Sequence, residues 1–386
     1  MKDEKKAPKL RFKGFTDDWE QCKLGDVASF TNGRAYKQDE LLDKGKYRVL
    51  RVGNLYTNDS WYYSNMELDD KYYINKGDLI YTWSATFGPH IWDGERAIYH
   101  YHIWKVELSD YLDKKFATQL LEIDKTKLLS NTNGSTMVHI TKNGMENKQV
   151  ILPSITEQSC IGKLLRNLDQ TITLHEEKKH QLERLKSALL QKMFADKSGY
   201  PAVRFKGFDD EWKQFMLGDV AKITMGQSPN SKNYTDNPKD RILVQGNADM
   251  KDGQVHPKIW TTEITKTANK GDLILSVRAP VGDIGKTSYD VVIGRGVAAI
   301  KGNEFIFQLL KRMKAVGYWT KYSTGSTFES INSLEINNAV INLPKEHEQN
   351  EVGNILSYMD HAITLQNYKI ELIKKLKSSF LQKMFI

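Results

Sequence analysis

The 386-residue chain carries 56 Lys+Arg against 48 Asp+Glu, a formal charge of +8, with 40% hydrophobic content. That supplies cores for two or three domains, and the basic balance suits a polyanionic partner without requiring one. Its two cysteines, Cys22 and Cys160, exclude a disulfide framework and a cysteine-rich zinc site, and they point to a reducing cytoplasm.

The charged start at Met1 leads into no apolar run, so no secretory signal is expected. No run approaches the roughly 20 residues of a membrane span. The first block, 10–33, reads LRFKGFTDDWEQCKLGDVASFTNG. A variable stretch follows, 31–152. Its short runs KYRVLRV (46–52) and DLIYTW (78–83) are β-branched or aromatic and bounded by Gly, Asn or Asp, which predicts strands. FATQLL (116–121) predicts a helix, so the globule mixes α and β. The aromatics Trp61, Tyr62, Tyr63, Tyr72 and Tyr73 read as strand core before a base-stacking platform. His100 and His102 alternate with Tyr99 and Tyr101, which on a strand puts both imidazoles on one face. With His90 they form a trio, but no cysteine or carboxylate pattern completes a metal site, and none is expected.

A long polar-and-leucine segment, 157–194, ends in LQKMF. Its apolar positions Ile161, Leu165, Leu168, Ile172, Leu182, Leu185, Leu189 and Met193 step by three and four, which places them along one helical stripe. At 1.5 Å per residue the helix would run roughly 57 Å.

The grammar then repeats. Block 203–226 reads VRFKGFDDEWKQFMLGDVAKITMG, identical to the first at fifteen of 24 positions with an offset of 193. NKGDLI recurs at 75–80 and 269–274, GST at 134–136 and 325–327, and Pro153 as Pro344. The second variable stretch, 222–343, holds a predicted strand at 272–277 and a predicted helix at 304–313. The second long helix, 348–385, has Val352, Leu356, Met359, Ile363, Ile373, Leu376, Phe380 and Met384 at an offset of 191 from the first stripe. Two matched narrow stripes are expected to pack on each other. The off-stripe Leu190, Phe194, Leu381 and Phe385 are left to pack on the aromatic blocks or to receive another protein. One unit of about 190 residues is thus written twice, as in a fused two-fold dimer. Block 203–226 directly follows the first helix, so block 10–33 is expected beside the end of the second.

Chemistry is sparse. The chain has no Pro-Pro, which a base-flipping amino-methyltransferase loop needs, and no Pro-Asp, which common metal-dependent nucleases need. GDIGKT (282–287) mimics a phosphate loop, but Pro280 stands where its leading glycine belongs. GRGVAA (294–299) mimics a dinucleotide fingerprint, but a strand-like run follows it instead of a helix, and position 320 is Thr where an acid belongs. It reads as a glycine-flanked hairpin with Arg295 outward. Binding remains. The second variable stretch has 16 basic against 11 acidic residues, the first 16 against 16. Turn residues of the kind that pair with base edges recur at matching places: Asn32, Arg34, Arg51, Asn54, Trp83 and Ser84 in the first stretch, and Gln227, Ser228, Gln245, Asn247, Arg278 and Arg295 in the second. Ordinary polar turns are the competing reading for each.

This doubled order resembles the specificity subunits of type I restriction-modification systems over essentially the full chain. The resemblance rests on Arg11-Phe12-Lys13-Gly14-Phe15 with Trp19, on the repeat from Arg204 to Phe208 with Trp212, and on Gly77-Asp78 and Gly271-Asp272. It rests further on VRAPVG (277–282), GRGVAA (294–299) and the two LQKMF ends. It implies an α+β fold of two pseudo-two-fold-related mixed α/β target-recognition domains separated by a pair of long antiparallel coiled-coil helices. The segments would be 1–152 (block and first recognition domain), 153–199 (central helix and linker), 200–344 (second block and domain) and 345–386 (C-terminal helix). It implies a non-catalytic subunit directing a complex to a bipartite, asymmetric site on double-stranded DNA. Two modification subunits would bind S-adenosylmethionine and methylate adenine, and restriction subunits would cleave using ATP and Mg; the chain itself would hold no cofactor or metal and contact no membrane. A scaffold with two diverged protein-binding domains is the alternative.

Overall fold

The computed structural model describes residues 7–84, 86–130, 140–322 and 330–386. The GST repeats fall outside them. Contacts divide the chain into two units: Met1–His175 with Lys369–Ile386, and Glu176–Tyr368.

In the first unit, strands Ala28–Asn32, Ile103–Leu108, Leu79–Thr82 and Gly88–Ile91 form an antiparallel sheet in that order. A second sheet runs Tyr62–Ser64, Tyr47–Leu50, Ala97–Tyr99, Tyr73–Ile74, with one parallel pair, Tyr47–Leu50 against Ala97–Tyr99. The runs predicted as strands are strands because their β-branched and aromatic side chains are buried; Leu50, Ile74, Ile80 and Tyr81 are fully enclosed. Helix Lys114–Ser130 covers the first sheet through Phe116, Ala117 and Leu121. Of the aromatic cluster, Tyr73 is core, whereas Tyr62 lies under the Arg51 guanidinium, 4.2 Å from ring centre.

The second unit repeats the plan. One sheet runs Ile223–Met225, Val297–Ile300, Leu273–Ser276, Ile284–Lys286, Gln254–Val255, Met250–Lys251. The other runs Tyr234–Thr235, Trp260–Thr261, Arg241–Val244, Val291–Ile293, Lys266–Ala268. Helix Glu304–Ala315 is capped by the Asn303 side chain, which accepts from the Ile306 N–H at 3.0 Å, and packs on the first sheet.

The long helices are Ile155–Lys192 and Glu346–Met384, of 38 and 39 residues. Within the first unit, Ile161 and Leu165 from the start of one share a core with Phe380, Leu381 and Met384 from the end of the other. Within the second, Leu189, Met193 and Phe194 share a core with Val352 and Leu356. The helices therefore run antiparallel in each unit. Ile172 and Met359 are buried, and Leu168, Leu182, Ile363 and Ile373 are half-buried. Leu185 and Leu376 depart from the expected stripe: they are 51% and 44% exposed. Next to them, charge takes over. Lys377 pairs with Asp169 (2.6 Å) in the first unit, Lys186 with Asp360 in the second, and the 191 offset maps one pair onto the other. A buried glutamine joins each: Gln119 donates to Asp169 (3.0 Å) and Gln308 to Asp360 (2.9 Å). The seam takes this polar network where the pattern of apolar spacing suggested leucine contact.

The blocks lock onto the helix ends. Arg11 grips Glu157 with both arms (2.8 and 2.7 Å), and Arg204 grips Glu348 likewise (2.7 and 2.8 Å). The Leu10 N–H donates to the Lys383 carbonyl at 2.8 Å, as Val203 does to Lys192 at 2.9 Å. The first block thus sits at the end of the second helix, as the repeat requires. The LQKMF aromatics pack on the blocks: Phe385 lies edge-on to Trp19 and Phe194 edge-on to Trp212. No helix of the described residues is long and apolar enough to cross a membrane.

Candidate functional site

Four chain segments leave the strand ends of the second unit on one side. Gln227 and Ser228 follow strand Ile223–Met225, Gln245 and Asn247 follow Arg241–Val244, and Arg278 follows Leu273–Ser276. Arg295 occupies the turn between Val291–Ile293 and Val297–Ile300. Those two strands belong to different sheets, so this turn is an inter-sheet corner and not the expected hairpin.

The corner is stitched by main chain. The Gly226 N–H donates to Val297 O (3.0 Å), Gln227 to Ile293 O (2.8 Å), Gly294 to Val244 O (2.8 Å) and Val277 to Gly296 O (2.9 Å). Glycine is required by close approach: a Cβ on Gly226 would lie 2.1 Å from the Gly294 oxygen, and one on Gly296 2.0 Å from the Gln245 oxygen. With the backbone so occupied, the side chains face outward. All six residues singled out in this stretch line one cleft of about 1100 Å³, together with Asn230, Tyr234 and Pro280. Among the described residues the lining holds two guanidiniums, several amides and hydroxyls, and no carboxylate. Ser228 Oγ accepts from the Arg295 N–H (3.1 Å), and Gln245 Oε1 accepts from the Tyr234 hydroxyl (3.3 Å). Arg278 and Arg295 are exposed, and neither guanidinium has an ion pair or hydrogen bond among the described residues. Two exposed guanidiniums beside amides, with no carboxylate paired to them among the described residues, can bind phosphate or the acceptor edge of guanine. Sequence reading missed Asn230 and Tyr234, which lie in the diverged stretch with no repeated neighbour to flag them.

The first unit builds the same corner with different side chains. Gly33 N–H donates to Ile103 O (3.1 Å), Arg34 to Tyr99 O (3.0 Å), His100 to Leu50 O (2.9 Å) and Trp83 to His102 O (3.2 Å). These bonds match, one for one, those of the second unit. They place His100-Tyr101-His102 where the other unit has Gly294-Arg295-Gly296. The two histidines thus sit in a turn and not along one face of a strand. His90 pairs with the Tyr56 hydroxyl at 2.8 Å instead of joining them. Among the described residues no cluster of three His, Cys, Asp or Glu is arranged to hold a metal.

The side chains singled out in the first stretch are committed internally. Both terminal nitrogens of Arg34 donate to Glu40 (2.9 and 2.7 Å). Asn54 Oδ1 accepts from the Arg51 N–H (3.1 Å) while its amide donates to Asn58 and Ser60 carbonyls, holding a 3₁₀ turn. Asn32 bridges the Tyr101 carbonyl (3.1 Å) and the Trp104 indole (3.2 Å), and the Trp83 indole donates to Tyr101 O (3.0 Å). Ser84 is half-buried beside them. Burial, then His102, then Arg51 push the His100 imidazole down to about 4, so it is neutral near pH 7.

The two nucleotide-loop mimics dissolve. Lys286 lies within strand Ile284–Lys286 and pairs with Glu304, and Thr287 donates to Tyr289 O (2.7 Å). The GRG turn leads into a strand.

Comparison with known proteins bears on both units. The putative type I restriction enzyme MjaX specificity subunit of Methanocaldococcus jannaschii is 26% identical, over 95% of this chain and 92% of that one. The Escherichia coli type I restriction enzyme EcoBI specificity subunit is 24% identical, over 96% and 86%. The crystal structure of the type I restriction-modification S subunit from M. genitalium superposes over 98% of this chain and 99% of that one, with a TM-score of 0.68 at 16% identity. The family described as type I restriction modification DNA specificity domain matches twice, at residues 16–184 and 209–375. With most of its length covered by those two matches, the chain belongs to the type I restriction-modification DNA specificity family.

Proposed function

We propose that each unit reads one half of a split, asymmetric site on duplex DNA, and that the chain delivers partner subunits to that site without catalysing a reaction itself. The carrying observation is the cleft of the second unit, where Gln227, Ser228, Gln245, Asn247, Arg278 and Arg295 meet from separate segments. Arginine pairs two-pronged with guanine, and Asn or Gln with adenine, at the major-groove edge. Different corners on a repeated frame favour different half-sites, and hence an asymmetric target. Two modification subunits carrying S-adenosylmethionine and methylating adenine, and restriction subunits using ATP and Mg, complete the complex; the chain supplies no cofactor. Family membership favours this over a protein-binding scaffold.

The test is methylated-adenine mapping in host DNA with the wild-type gene or Arg278→Ala. Loss of a two-pronged contact costs about 1–3 kcal/mol of base discrimination, so one half-site should relax and the other stay sharp. Equal loss in both halves, or on random DNA, would sink the assignment.

A further inference from the structure

We infer that Tyr101 and His102, backed by Trp83, are the base-reading side chains of the first unit. The inference rests on the DNA-reading assignment above and adds which residues carry it where the candidate arginines Arg34 and Arg51 are engaged within the unit.

The matched main-chain bonds put Tyr101 in the place of Arg295 and His102 in the place of Gly296. Tyr101 is 37% exposed, although its neighbours Trp104 and Tyr99 are fully enclosed. Its main chain is fixed: the Tyr101 carbonyl accepts from both Asn32 (3.1 Å) and the Trp83 indole (3.0 Å). The rings form one body. Tyr101 lies 3.9 Å from His102 and 5.5 Å from Trp83, and Trp83 stacks on buried Trp104 at 5.8 Å and 22°. A phenol and an imidazole held this firmly can hydrogen-bond a base edge and pack on it with little ordering cost. Meanwhile Arg34 is held by Glu40 and Arg51 lies over Tyr62. At this corner the reading groups are a phenol and an imidazole, where the other unit presents guanidiniums.

The experiment uses the assembled complex, with methylation mapping and salt-dependent binding to the mapped site. Tyr101→Ala should lower base discrimination about tenfold in the half-site that Arg278→Ala leaves sharp, as for one lost specific contact. Because tyrosine is uncharged, the slope of log affinity against log salt should move by less than about one. Tyr101→Arg, importing the second unit's side chain, should shift the preferred base in that half. Unchanged specificity in both variants, or loss in both halves together, overturns the inference. If Arg278→Ala alters its half while Tyr101 variants alter neither, this inference alone fails. If Arg278→Ala also alters neither, the DNA-reading assignment fails with it.

Discussion

At the scale of single residues, the same backbone corner serves two chemistries. Gly296 is glycine because the Gln245 carbonyl leaves no room for a Cβ, whereas the first unit carries His102 at the matching position. His100 marks the consequence. Its folded value of about 4 lies below the ordinary 6.5, so between those values the unfolded chain binds more protons than the folded one. Stability is full above about pH 6.5 and falls as pH drops toward 4. The thermal midpoint should decline across that window, and His100→Gln should flatten the decline; a slope unchanged by the substitution would exclude His100 as its source. Sequence alone could not place this residue. Gly294-Arg295-Gly296 and His100-Tyr101-His102 share no residue type, and only the paired main-chain bonds show that they are one position. The hairpin expectation failed for a related reason: whether a three-residue turn returns to its own sheet or crosses to another is decided by partners distant in sequence.

At the scale of elements, the helix lengths, their repeated apolar steps and the strands at 47–50, 79–82 and 273–276 were legible, because each leaves a local period. The seam's polar network was not, since it depends on which charges meet across two helices. Burial pushes the Asp360 carboxyl up, and Lys311, Lys186 and Gln308 outweigh it and hold it below the usual range. Its counterpart Asp169 pairs with Lys377 and accepts from Gln119. Asp360→Asn strands two cations, Lys186 and Lys311, and should cost about 2 kcal/mol, with Asp169→Asn costing roughly half, since removing one partner of a half-buried pair leaves the other without its counter-charge while partial exposure screens the loss. Urea midpoints of the two variants check the order; equal losses would mean that Lys311 contributes nothing.

At the scale of the molecule, the repeat makes the two block-to-helix joints equivalent. Leu10 bonds to Lys383 much as Val203 bonds to Lys192 across a continuous chain. A circular permutant opened within 196–201, with residue 386 joined to residue 7 by a short linker, should fold and keep its DNA specificity. Failure to fold, seen by circular dichroism and loss of cooperative melting, would contradict the equivalence.

The division of the chain also dictates an order of events during synthesis. Glu176–Tyr368 is one continuous stretch, whereas the first unit needs Lys369–Ile386 to close its core with Met384 and Phe385. On the ribosome, the domain written first therefore waits with its core open, and the domain written second is complete before it. Permutation at 196–201 would exchange those roles, making the first unit continuous and leaving the second to wait for residues 176–195. The exposed, unfinished core would then move from one reader to the other without a single side chain being changed.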